Sequence, residues 1–100
     1  MIFEWDEAKR LANLEKHGVD FRVAAFIFEG PVLEAPDGRE DYGEARLKAI
    51  GLDGEDAYIV VYTWREERRR IISAWKAGRH ERQQYKAILA GRTEGDEGAR

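Results

Sequence analysis

The stretch Arg70-Ile71-Ile72-Ser73-Ala74-Trp75-Lys76-Ala77-Gly78-Arg79-His80-Glu81-Arg82, followed at Tyr85 by a further aromatic, decides the fold. It reads as one buried strand over 69–76 leading into one helix from about Arg79 to Ala90, where Gly91 ends it. Tyr85, Ile88 and Leu89 sit where that helix can pack on a sheet. Working back, 57–64 (Ala-Tyr-Ile-Val-Val-Tyr-Thr-Trp) is β-branched and aromatic throughout and is the strongest strand. The charged turn Arg65-Glu66-Glu67-Arg68 joins the two. Asp53-Gly54 marks a turn before it, after a strand over 45–52. A short strand over 32–35 precedes Pro36-Asp37-Gly38. Short turns between successive strands predict an antiparallel meander.

The N-terminal third has helical punctuation instead. Asp6 caps a helix starting at Glu7, with Ala8, Leu11, Ala12 and Leu14 as its apolar face and Gly18 after its end. Asp20 caps a second helix bearing Phe21, Ala24, Ala25 and Phe28, ended by Gly30-Pro31. The expected class is therefore α+β: two N-terminal helices, a four-stranded antiparallel sheet and a C-terminal helix. Residues 1–90 form one domain, and 91–100, without an apolar anchor, are expected to be a disordered polar tail.

Composition narrows the function. The 100 residues carry no cysteine, so disulfides and Cys-ligated metals are excluded, and a reducing cytoplasm is the expected setting. The two histidines, His17 and His80, make no metal motif, and neither a metal nor a cofactor is expected. No stretch suggests a membrane span. The net charge of −3 argues against a general nucleic-acid binder, but it is unevenly spread. Residues 1–64 hold 7 Lys/Arg against 14 Asp/Glu, whereas 65–82 hold 7 against 3. A cationic segment in an acidic frame implies a local site for an anion, and a phosphodiester is the commonest candidate.

Two motifs carry a family resemblance. Phe3-x-Trp5-Asp6-x-x-Lys9-x-x-x-Asn13-x-x-Lys16-His17-Gly18-Val19-x-Phe21-x-x-Ala24 resembles the opening of the BrnT toxins of bacterial type II toxin–antitoxin systems. Arg70-Ile71-Ile72-Ser73-Ala74-x-x-Ala77-x-x-x-Glu81-Arg82-x-x-Tyr85 resembles their closing motif, and the resemblance spans residues 2–89. It implies a RelE-like fold and metal-independent mRNA cleavage that arrests translation. It also implies a BrnA-type antitoxin that carries the operator-DNA-binding domain, in a heterotetramer of two toxins and two antitoxins. One position departs: Trp75 stands where the family usually has Arg. That keeps open a catalytically degenerate toxin serving only antitoxin binding and operon regulation.

Cleaving RNA without a metal requires a proton acceptor for the 2′-hydroxyl, stabilised phosphoryl charge and a protonated leaving group. The candidate catalytic residues are Arg70 and Arg79, whose planar forks fit phosphate oxygens, with Lys76 and His17. For Arg70 the competing role is an ion pair with Glu44 or Glu55. Trp64, Arg65, Arg69 and Trp75 are the candidate RNA-binding residues, through stacking and charge. Lys9 and Lys16 are read as surface groups on the first helix, with antitoxin contact as the alternative role.

Overall fold

The computed structural model describes residues 2–38 and 43–98, with side chains described through Gly91. The element order is β1 (Ile2–Glu4), α1 (Glu7–His17), α2 (Phe21–Ala24), a 3₁₀ segment (Ala25–Glu29), β2 (Leu33–Pro36), β3 (Leu47–Asp53), β4 (Asp56–Arg65), β5 (Arg68–Lys76) and α3 (Arg79–Gly98). The α+β class and the three-hairpin meander from β2 to β5 are as expected. The sheet, however, has five strands in the order β1-β5-β4-β3-β2 rather than four. The added strand is the N-terminus, which runs parallel to β5 with Ile2 opposite Arg68 and Glu4 opposite Arg70. Three residues are too few to show a period-2 pattern, so only the long-range pairing reveals them as a strand.

The second helix is also shorter than expected. One α turn ends at Ala24 and the chain tightens into 3₁₀ geometry. This brings Ile27 against β3 at Gly51, where a Cβ would lie 2.9 Å from the Cβ of Ile27 and 3.0 Å from Val32 Cγ1. Glycine is required at that position by close approach rather than by backbone angle. At the other end of the chain, Glu81 accepts from the Gly78 N–H at 2.9 Å, a capping contact that starts α3 at Arg79. The helix runs past Ala90 and Gly91 to Gly98. Among the described residues no helix is long and apolar enough to cross a membrane.

The core lies between the sheet and the segment formed by α2 and the 3₁₀ turn. Val19, Phe21, Ala24, Ile27, Ala49, Val60, Tyr62, Ile71 and Ala74 are buried together. On the other side Tyr85 of α3 is 2 % exposed, and its hydroxyl donates to the Pro31 carbonyl at 2.6 Å. Burial raises the Tyr85 and Tyr62 hydroxyl pKa values above the ordinary tyrosine range.

Helix α1 is oriented opposite to the expectation. Leu11 and Leu14 are 52 % and 39 % exposed, and Asn13 is the buried residue at 7 %. The reason is at the edge of β5, where β1 has already ended. Asn13 Nδ2 donates to the Ala74 carbonyl at 2.7 Å and to the Val19 carbonyl at 3.0 Å. Its Oδ1 accepts from the Ala74 N–H and the Ser73 hydroxyl, each at 3.2 Å. One amide side chain thus completes a strand edge that no strand covers, and unmet backbone groups there would cost more than exposing two leucines.

Asp20 ties α1 to α2. It caps α2 through the Arg22 N–H, and its carboxylate meets Arg22 and Arg10 at 2.8 and 2.9 Å. Hydrogen bonding from Arg22, with the nearby charges of Arg22 and Arg10, holds its pKa at about 2. The folded value lies below the unfolded one, so the stabilisation is full above pH ~4 and is lost as pH falls from ~4 towards 2. Asp20→Asn is expected to cost about 1–2 kcal/mol at pH 7 and almost nothing at pH 2, since Arg22 is largely exposed and its contribution is screened. Urea unfolding at the two pH values checks this.

Candidate nucleic-acid interface between α1 and the sheet

The structure separates the cations that crowd together in sequence. Arg70 and Lys76 are six residues apart on an extended strand, hence about 20 Å apart at ~3.3 Å per residue. Arg70 pairs with Glu4 of β1 at 2.8 Å, rather than with Glu44 or Glu55. Lys76 pairs with Asp56 at 3.1 Å, and Arg79 is exposed on the first turn of α3. One phosphate cannot be gripped by Arg70 and Lys76 together.

A second group gathers at the β4–β5 turn. The Arg69 guanidinium lies 4.2 Å from the Phe28 ring centre, 4.6 Å from that of Trp64 and 5.2 Å from that of Tyr62. Glu34 approaches Arg69 at 3.9 Å and accepts from the Tyr62 hydroxyl at 3.0 Å. Arg69 is thereby a cation built into an aromatic packing cluster. Trp64, half exposed, covers it, and Arg65 beside Trp64 faces solvent with Glu44 at 4.0 Å.

The third group includes His17, with residues that sequence reading left on the surface. Lys9, Ala12, Asn13, Lys16 and His17 line one wall of an open depression of about 400 Å³. Their spacing places them on one side of α1, as a helical period requires. Arg46, just ahead of β3, closes the opposite side, and Ile72 with Ser73 forms the floor. The floor depends on a β-bulge: Tyr62 is opposite Ile71, whereas Val61 is opposite Ser73, so β5 carries one extra residue. The Ser73 hydroxyl is held by Asn13. The His17 ring stands 6.0 Å from that of Trp75, tilted by 39°.

Among the described residues lining this depression there is no carboxylate, in a chain with 20 Asp and Glu. Lys9, Lys16 and His17 are exposed. Arg46 is only 14 % exposed at its side chain, and its Nη2 and Nε donate to the Glu44 carboxylate at 3.3 and 3.4 Å. The depression therefore offers two ammonium groups, one guanidinium, one imidazole and a hydroxyl around a single open volume. That set can hold an anion, neutralise charge developing on it and carry protons. Of the sequence candidates, His17 lies inside it and Trp75 stands next to His17. Arg70, Lys76, Arg79, Trp64, Arg65 and Arg69 lie elsewhere. Lys9, Asn13, Lys16 and Arg46, which line it, are not among those candidates, although the first three stand in the N-terminal motif at helical spacing.

Comparison with known proteins agrees with the resemblance. A search of curated proteins finds no match. A family model described as the ribonuclease toxin BrnT of type II toxin–antitoxin systems matches residues 5–81, a span that includes α1, the sheet from β2 to β5 and every residue of the depression. This chain belongs to the BrnT family of ribonuclease toxins, and a toxin of that type implies an antitoxin partner.

Proposed function

We propose that the chain is a metal-independent endoribonuclease whose scissile phosphate sits in the depression between α1 and the sheet. The observation that supports this reading is the convergence of Lys9, Lys16, His17 and Arg46 on one carboxylate-free opening with Ser73 at its floor. In the reaction the 2′-oxygen bonds to the adjacent phosphorus and the bond from phosphorus to the 5′-oxygen breaks. The 2′-hydroxyl proton leaves to a base, and the departing 5′-oxygen takes one up. Lys9, Lys16 and Arg46 stabilise the added charge on the phosphoryl oxygens. His17 carries the proton, and Trp75 stacks on a neighbouring base, an interaction worth ~1–3 kcal/mol. Arg70, Lys76 and Arg79 stand outside the reacting centre.

Further features follow the family: a RelE-like toxin that cleaves mRNA, arrests translation and is neutralised by a BrnA-type antitoxin in a two-to-two complex. Operator DNA is contacted through the antitoxin alone. Trp75, in place of the family's usual Arg, favours one alternative, a degenerate toxin that only binds and regulates. Incubating the purified chain with single-stranded RNA in EDTA separates the two. The nuclease reading expects fragments ending in 2′,3′-cyclic phosphate and 5′-hydroxyl. Intact RNA after incubation with the folded chain, free RNA and ribosome-bound mRNA alike, would establish the degenerate reading, and restoration by Trp75→Arg would identify the cause of degeneracy. Cleavage of ribosome-bound mRNA alone would mark a ribosome-dependent toxin.

A further inference from the structure

Helix α1 turns its polar side to the protein and its apolar side to water, the inverse of a surface helix that is complete in itself. Ala8, Leu11 and Leu14 are exposed in sequence steps of three, with Glu7 and Glu15 exposed on the same outer face. The two leucines are 52 % and 39 % exposed. Scattered exposed leucines need no explanation, but a helical seam of them marks a contact surface. Asn13, Lys9, Lys16 and His17 point the other way, into the β5 edge and the depression, so α1 is shared by two surfaces. Ala12 lies between the seam and the depression it lines.

From this juxtaposition we infer that the antitoxin docks on the outer face of α1, laying an apolar helical seam with basic flanks over Ala8, Leu11 and Leu14. The blocking consequence rests on the ribonuclease reading above: a helix seated there stands at the rim of the depression and denies RNA access to Lys9 and Lys16. Charge selects the occupant. Glu7 and Glu15 are exposed along this face, Glu7 held by Arg10 of the same helix, so the partner's residue over Glu15 is Lys or Arg. A second copy of the chain fits poorly. Antiparallel self-packing sets Glu7 of one copy near Glu15 of the other, and like charges across a two-fold contact repel.

The test is calorimetric titration of the full chain with the purified cognate antitoxin, for wild type and for Leu11→Glu/Leu14→Glu. The expected result is an affinity at least ~100-fold lower for the variant, as for loss of buried apolar anchors. RNA cleavage by the free variant stays at the wild-type rate and is no longer suppressed by antitoxin. Glu15→Lys, which alters charge without touching packing, loses roughly three- to tenfold, and the loss shrinks as salt is raised. Equal affinity of wild type and the double variant overturns the proposal. So does absence of binding by wild type, or a wild-type dimer in sedimentation that the double substitution dissociates. If wild type leaves RNA intact yet the double variant loses antitoxin, the ribonuclease reading fails and the docking surface stands.

Discussion

Asn13→Ala is expected to destabilise the fold by about 3–4 kcal/mol, the largest loss from any single side chain discussed above. The amide makes four hydrogen bonds, three of them to backbone groups of Val19 and Ala74, which are 6 % and 0 % exposed. Truncation leaves one buried N–H and two buried carbonyls without that partner, at ~1–3 kcal/mol each, lessened where water enters from the depression. With an m-value of ~1.5 kcal/mol per molar, the urea midpoint falls by roughly 2 M. Asn13→Asp is expected to fare no better, because a carboxylate would face the Val19 and Ala74 carbonyls without a proton to donate. Cleavage should fall with stability, since the same bonds hold Lys9, Lys16 and His17 over the floor at Ser73. A midpoint shift below 0.5 M, at this m-value about 1 kcal/mol or less, would mean that α1 is held to β5 by other contacts.

The fold was legible where local rules coincide with tertiary ones. Asp6, Gly18 and Asp20 cap helices as their residue types predict, and β4 and β5 follow their β-branched and aromatic content. Two features escaped for different physical reasons. The pairing of β1 with β5 joins residues more than sixty positions apart and leaves no local trace. The orientation of α1 is decided by Asn13, whose value lies in backbone groups of β5 that a hydropathy pattern does not see. Leu11 and Leu14 look like a core face only if the helix has no other claim on its direction.

The candidate site shows the same contrast. Cations dense in sequence from Arg65 to Arg82 suggested one centre, but an extended strand spreads neighbours ~3.3 Å per residue along its length. A helix does the reverse, and returns residues 9, 13, 16 and 17 to one side. The motif beginning Phe3-x-Trp5-Asp6 therefore held more of the proposed site than the stretch at 70–79. Arg46 had no local signal, because the β-sheet and the bulge at Ser73 bring it opposite α1.

The most direct measurement is the single-turnover cleavage rate of one single-stranded RNA, in EDTA, by two double variants beside wild type. Lys9→Ala/His17→Ala removes one phosphate cation and the imidazole from the depression, and a loss of at least ~10³-fold is expected. Arg70→Ala/Lys76→Ala removes two cations that pair with Glu4 and Asp56 outside it, and a change of less than ~fivefold is expected. Both variants should unfold within 1–2 kcal/mol of wild type, roughly the range of surface ion-pair losses. The reverse ranking, with cleavage kept by Lys9→Ala/His17→Ala and lost by Arg70→Ala/Lys76→Ala, would contradict a phosphate site between α1 and the sheet.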